Sequence, residues 1–95
     1  MKIEDMAEKP REKAMLKGME QLSDTELLAL IIESGTRQNS AFELAMKILS
    51  MCGSIKELPT ISFSDLVCLP GIKKAKALRF LACIEIAKRI QTTSS

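Results

Sequence analysis

Apolar residues recur along this chain at spacings of three and four, and nowhere alternate with polar ones over the length of a strand. The pattern predicts helices and no sheet. Pro10 suits the first turn of a short helix reaching about Lys17, and Gly18 ends it. Ser23-Asp24-Thr25-Glu26 is a capping box, with Ser23 as N-cap and Glu26 three residues on. It opens a helix through about Glu33, where Leu27, Leu28, Leu30, Ile31 and Ile32 leave so little polar surface that the helix must be central. Gly35 then breaks the chain. Ser40-Ala41-Phe42-Glu43 is a second capping box, for a helix to about Met51 that Gly53 stops; Phe42, Ala45, Met46, Ile48 and Leu49 carry its period. Ile55 to Leu58 has room for one turn before Pro59. Ser62 caps a short helix to about Cys68, with Asp65 at the third position.

Pro70 and Gly71 interrupt the helical pattern, and a last helix then runs to about Ile90. Its apolar positions (Ala77, Leu78, Phe80, Leu81, Ile84, Ile86, Ala87, Ile90) spread almost around the axis, with charge confined to the ends. That predicts a core helix with wet termini. Residues 1–9 are charged and read as a disordered segment, residues 10–90 as the domain, and residues 91–95 as a tail or linker. The expected fold is all-α: a small bundle of about five helices. A shift of 36 residues superimposes Gly35 on Gly71, Arg37 on Lys73, Ala41 on Ala77, Leu44 on Phe80 and Ile48 on Ile84. Two pseudo-symmetric helix-hairpin-helix units, or the chance agreement of two amphipathic helices, both account for this match.

Composition narrows the chemistry. Ninety-five residues make one small domain, and an apolar content of 46% is enough for a core. Phe42, Phe63 and Phe80 are the only aromatics, so the stacking platforms of most single-strand binders are missing. Cys52, Cys68 and Cys83 have no metal-like spacing, and the chain has no histidine to complete a zinc site or activate a thiol. Reduced cysteines in the cytoplasm are the expectation, with no metal or cofactor. No apolar run approaches the length of a membrane span. The carboxylates fall mostly in capping boxes or on polar faces, so neither catalytic residues nor a small-molecule substrate is expected.

Charge placement supplies the candidate site. Residues 71–90 hold six basic side chains and one acid, a net of +5, while the remainder holds eight basic and eleven acidic residues, a net of −3. The whole-chain charge of +2 therefore hides a basic end on an acidic body. Lys73, Lys74, Lys76 and Arg79 cluster where the last helix begins, beside amides that the macrodipole already makes positive. Such cations cost the isolated fold roughly 0.3–1 kcal/mol each, and an outside anion reverses the sign. Phosphate is the obvious anion; a solvated lysine cluster kept for solubility is the alternative.

Leu69-Pro70-Gly71-Ile72 followed by Ala75-Lys76-Ala77 resembles a helix-hairpin-helix DNA-binding motif. Three further blocks occur in order: Lys9-Pro10-Arg11-Glu12-Lys13, then Leu22 through Ala29, then Ser34-Gly35-Thr36-Arg37 with Ser40. Together, over residues 9–90, they are similar to the N-terminal domain of RadC-type proteins, long labelled DNA repair proteins. The resemblance implies a domain that precedes a metal-dependent JAB/MPN domain, with histidines and an aspartate on zinc; no histidine is present here, so no activity carries over. The motif usually reads Gly-hydrophobic-Gly, and here Lys73 takes the second glycine's place. That side chain either crowds a phosphate or supplies its own charge to it.

The expectation is sequence-independent DNA binding through Gly71, Ile72, Lys73, Lys74, Ala75, Lys76 and Arg79, with Thr36 and Arg37 as a second contact if the repeat is real. The other class of function is a protein-protein or interdomain module that ignores DNA and meets an acidic partner or a C-terminal domain of the same protein.

Overall fold

A computed structural model describes residues 10–33 and 40–94, with side chains to residue 92. Among them are five α-helices, two short 3-10 segments and no strand. Helix α1 spans Pro10–Lys17, α2 Asp24–Ile32, α3 Ala41–Cys52, α4 Phe63–Val67 and α5 Lys74–Ser94. The all-α bundle expected from the hydrophobic spacing is the architecture observed. The 3-10 segments, Met19–Gln21 and Ile55–Thr60, fill the gaps before α2 and α4. The second continues past the single expected turn, with Pro59 inside it.

Three helices start as their sequences predict. Ser23 Oγ accepts the Glu26 amide at 3.1 Å while Glu26 Oε1 accepts the Ser23 amide at 2.8 Å. Ser40 and Glu43 repeat the arrangement at 3.1 and 2.8 Å, and Ser62 with Asp65 at 3.1 Å in both directions. Each box satisfies two amides that a helix start would otherwise leave to water. Gly18 donates to the Ala14 carbonyl at the end of α1, and Gly53 to that of Leu49 at the end of α3. Helix α2 stops at Ile32, one residue early, with Glu33 as its C-cap.

α2 packs along α3, α4 against α5, and α2 touches α5, so two helix pairs meet over one core. Ile32, Leu44, Ile48 and Leu66 are its largest fully buried side chains, and Leu28, Ala45, Ile61, Ile72, Ala77, Phe80 and Ile84 complete most of it. No residue of the apolar run Leu27–Ile32 is exposed, as a central helix requires. Two pairs matched by the 36-residue shift share burial, Leu44 with Phe80 and Ile48 with Ile84, while Ala41 is half-buried and Ala77 fully buried. The helix starts do not match, because α3 begins at Ala41 but α5 begins three residues ahead of the equivalent Ala77. Gly35, Thr36 and Arg37, which the repeat also needs, lie outside the described residues, as do residues 1–9.

The buried faces of α3 and α5 are narrower than their apolar patterns, and for α5 this corrects the expected core helix. On α3 the buried stripe is Leu44, Ala45 and Ile48, while Phe42 and Met46 are 44% and 46% exposed. The apolar set is wider than the surface α2 can cover. On α5 burial is confined to Ala77, Phe80 and Ile84, with Leu78, Ile86 and Ile90 exposed. It is a one-sided helix, because the other four are too short to surround it. It also continues through Ser94, beyond the end expected at Ile90.

Candidate nucleic-acid interface

The connection from α4 to α5 is built on a type II turn. α4 closes with the Cys68 amide donating to the Ser64 carbonyl and the Leu69 amide to that of Leu66. The Ile72 amide then donates to the Leu69 carbonyl at 3.1 Å, which brackets Pro70 and Gly71 as the two central residues. Proline fixes the first central dihedral, and the second must lie in the left-handed region, where Gly71 sits at φ 94°. Leu66 and Ile72 anchor the turn in the core at 0% and 4% exposure. Pro70 rides outside.

Beyond the turn the chain enters α5 at once. The first helical bond runs from the Ala77 amide to the Lys73 carbonyl at 2.9 Å, so the amides of Lys74 and Ala75 precede the ladder. A lysine side chain carries no acceptor. Lys73 therefore cannot cap α5 as Ser23, Ser40 and Ser62 cap the helices they precede. Its φ is not positive, so the lysine in place of a second glycine imposes no backbone strain.

The predicted site residues separate into three groups. Lys73, Lys74 and Ala75 are exposed at the helix start, with Lys76 and Gly71 half-buried beside them. Ile72 does not join them: its side chain is in the core and its amide closes the turn. Arg79 is exposed one turn further along, where its guanidinium meets Glu33 Oε1 at 3.2 Å. That pair ties α5 to the end of α2 and is open to solvent on both sides, so a competing anion displaces it at little cost. Among the described residues no ion pair engages Lys73 or Lys74. Thr36 and Arg37 lie outside the described residues. The role of Glu33 was not legible in the sequence, where it reads only as the last residue of a helix.

Other chemistry is sparse. No group of histidine, cysteine, aspartate and glutamate among the described residues could hold a metal ion. The cysteines are free thiols; burial, with Asp65 and Glu57 nearby, pushes the Cys52 thiol above its ordinary 9.0, away from nucleophilic thiolate. No described helix is long and apolar enough to cross a membrane.

A family model described as UPF0758 N-terminal matches residues 2–78, which takes in the turn and the first residues of α5. The chain belongs to the UPF0758 family. UPF0758 is the RadC family, so the resemblance carried by the four sequence blocks holds. A UPF0758 protein of Flavobacterium johnsoniae is 45% identical over 92% of this chain and 39% of its own length. One from Streptococcus thermophilus is 42% identical over 86% of this chain and 36% of its own. One from Clostridium beijerinckii is 38% identical over 97% and 41%. The chain thus spans about two-fifths of the length of these relatives. No solved structure matches it.

Proposed function

We propose that this UPF0758 N-terminal domain is a sequence-independent DNA-binding module of a repair-associated cytoplasmic protein, a helix-hairpin-helix that grips backbone phosphate where the turn at Gly71 feeds α5. One observation carries the reading: Lys73, Lys74 and Ala75 are exposed together where α5 begins, next to a turn anchored by Leu66 and Ile72. A phosphate oxygen there meets N–H donors, the positive end of the dipole and two ammonium groups at once. Lys76 and Arg79 reach neighbouring phosphates, Arg79 by giving up Glu33. Contacts of this kind position a duplex without reading its bases. No catalytic group belongs to the mechanism; the domain delivers whatever is attached to it to DNA.

With two to four phosphates neutralised, the lone domain binds in the non-specific range, about 10⁻⁴ to 10⁻⁶ M. An NMR titration with short duplex and branched DNA at two salt concentrations tests it. Shifts collect on residues 70–79, appear with unrelated sequences and weaken with salt. The double variant Lys73→Glu/Lys74→Glu abolishes them. Unaltered binding by that variant places the contact elsewhere, and indifference to DNA at both salts rejects the reading.

A further inference from the structure

Helix α5 runs on past the core that its first half packs against. Its 21 residues span about 31 Å at 1.5 Å per residue, yet its buried side chains, Ala77, Phe80 and Ile84, all fall in the first half. From Glu85 to Thr92 every side chain is exposed. A helical stretch of that length has little stability of its own in water and relies on packing. Its composition is nonetheless not that of a solvated arm: Ile86, Ala87 and Ile90 lie within it.

A groove of about 490 Å³ lies between α2, the Ile55–Thr60 segment and the middle and distal parts of α5. Leu27, Ile31 and Leu58 line it from α2 and the Ile55–Thr60 segment, Cys83 and Ala87 from α5, with Met19 also in the lining. Lys88 and Gln91, both on α5, are its only residues with polar side chains. Met19, which lines the groove, is 56% exposed. A domain of this size rarely leaves so much apolar surface without a use.

The relatives indicate the occupant. The matched family model is the N-terminal part, and this stretch makes up only 36–41% of the Flavobacterium, Streptococcus and Clostridium proteins. About three-fifths of each is further polypeptide. α5, the last described element, lines the groove itself. A short flexible connection holds a segment of that polypeptide at millimolar effective concentration, enough to seat even a weak binder. A second copy of the chain is a poorer occupant, since pairing two α5 distal halves brings Lys88 and Arg89 of each copy together against a single Glu85 per copy.

We infer that the groove is an interdomain seat: it receives the apolar face of a helix from the polypeptide C-terminal to this domain, with an acidic residue of that helix meeting Lys88. The geometry is helix-in-groove recognition, read by anchors at i, i+3, i+4 and i+7. The seat lies along α5 from Phe80 to Gln91, while the proposed phosphate site sits at the helix start, so the two readings use different stretches of one helix.

Amide hydrogen exchange tests this without nucleic acid, so its outcome is independent of the DNA reading. The 95-residue chain is compared with a fusion in which it replaces the matched segment of the Flavobacterium relative; the intact relative is measured in parallel. Amides of residues 83–92 exchange at least tenfold more slowly in the fusion, and the aligned amides of the intact relative are protected likewise. Ala87→Lys, at an exposed groove position, restores fast exchange there while protection in α3 is unchanged. Equal exchange of residues 83–92 in the short and long proteins overturns the inference. So does concentration-dependent protection in the 95-residue chain alone, which assigns the groove to a second copy.

Discussion

Glu26 does two jobs at once. Its carboxylate closes the α2 capping box through the Ser23 amide at 2.8 Å and receives the Lys13 ammonium at 3.0 and 3.2 Å, tying α1 to α2. The Ser23 amide, opposed in part by burial and helped by Lys13, holds its pKa below the ordinary 4.5. A carboxylate with a depressed folded pKa stabilises the fold above its unfolded value and stops doing so as pH falls through the folded one. Stability in urea therefore declines below about pH 4.5, and Glu26→Gln removes part of that decline. Ser23→Ala costs about 1 kcal/mol at neutral pH. Cys52 carries the opposite sign: burial raises its pKa, so its contribution fades only above pH 9.0. Timed alkylation read by mass spectrometry modifies the exposed Cys68 and Cys83 well before Cys52.

At the scale of elements, the legible features of the sequence were local and the hidden ones were not. Serine with an acid three residues later names a helix start because all the interacting atoms lie within one turn. Ser23, Ser40 and Ser62 were readable for that reason. The Pro70-Gly71 pair was readable as a break and, with the Ile72-to-Leu69 bond, proves to be a type II turn. The Met19–Gln21 segment has no periodic signature and was invisible. Which face of α3 or α5 is buried depends on how much neighbouring surface exists to cover it, and spacing alone carries no such information. Phe42 and Met46 keep the helical period yet lie outside the buried stripe for that reason. Two substitutions separate the cases by chemical denaturation. Leu44→Ala, at a fully buried site, costs about 2–5 kcal/mol, whereas Leu78→Ala, on the open face of α5, stays within roughly 0.5 kcal/mol of the parent. Gly71→Ala costs roughly 1 kcal/mol, since φ 94° excludes a Cβ without strain. It also displaces the adjoining lysines, so on the proposed reading DNA affinity falls with it.

For the whole molecule, the segregation of charge matters more than its total. The net of +5 over residues 71–90 is itself divided, with Lys73, Lys74, Lys76 and Arg79 at the start of α5 and Lys88 and Arg89 near its end. Residues 74 and 89 are about 22 Å apart along the helix, more than twice the screening length at physiological salt. On the proposed reading the two clusters act separately on a duplex, and Arg89 is further occupied by Glu85 at 3.0 Å. If phosphate is held only at the turn, the logarithm of the binding constant falls with the logarithm of salt concentration at a slope of about −1.8 to −3.6, for two to four phosphates. Lys73→Glu/Lys74→Glu drives the slope toward zero. Arg89→Gln leaves it where it was. A slope that drops by about 0.9 in Arg89→Gln instead means the duplex lies along α5 rather than across its start. A duplex in that pose covers the distal part of α5, which the interdomain seat also uses, and the two surfaces then compete rather than use different stretches of one helix. Fluorescence anisotropy with a short labelled duplex, repeated over a range of salt, distinguishes these outcomes.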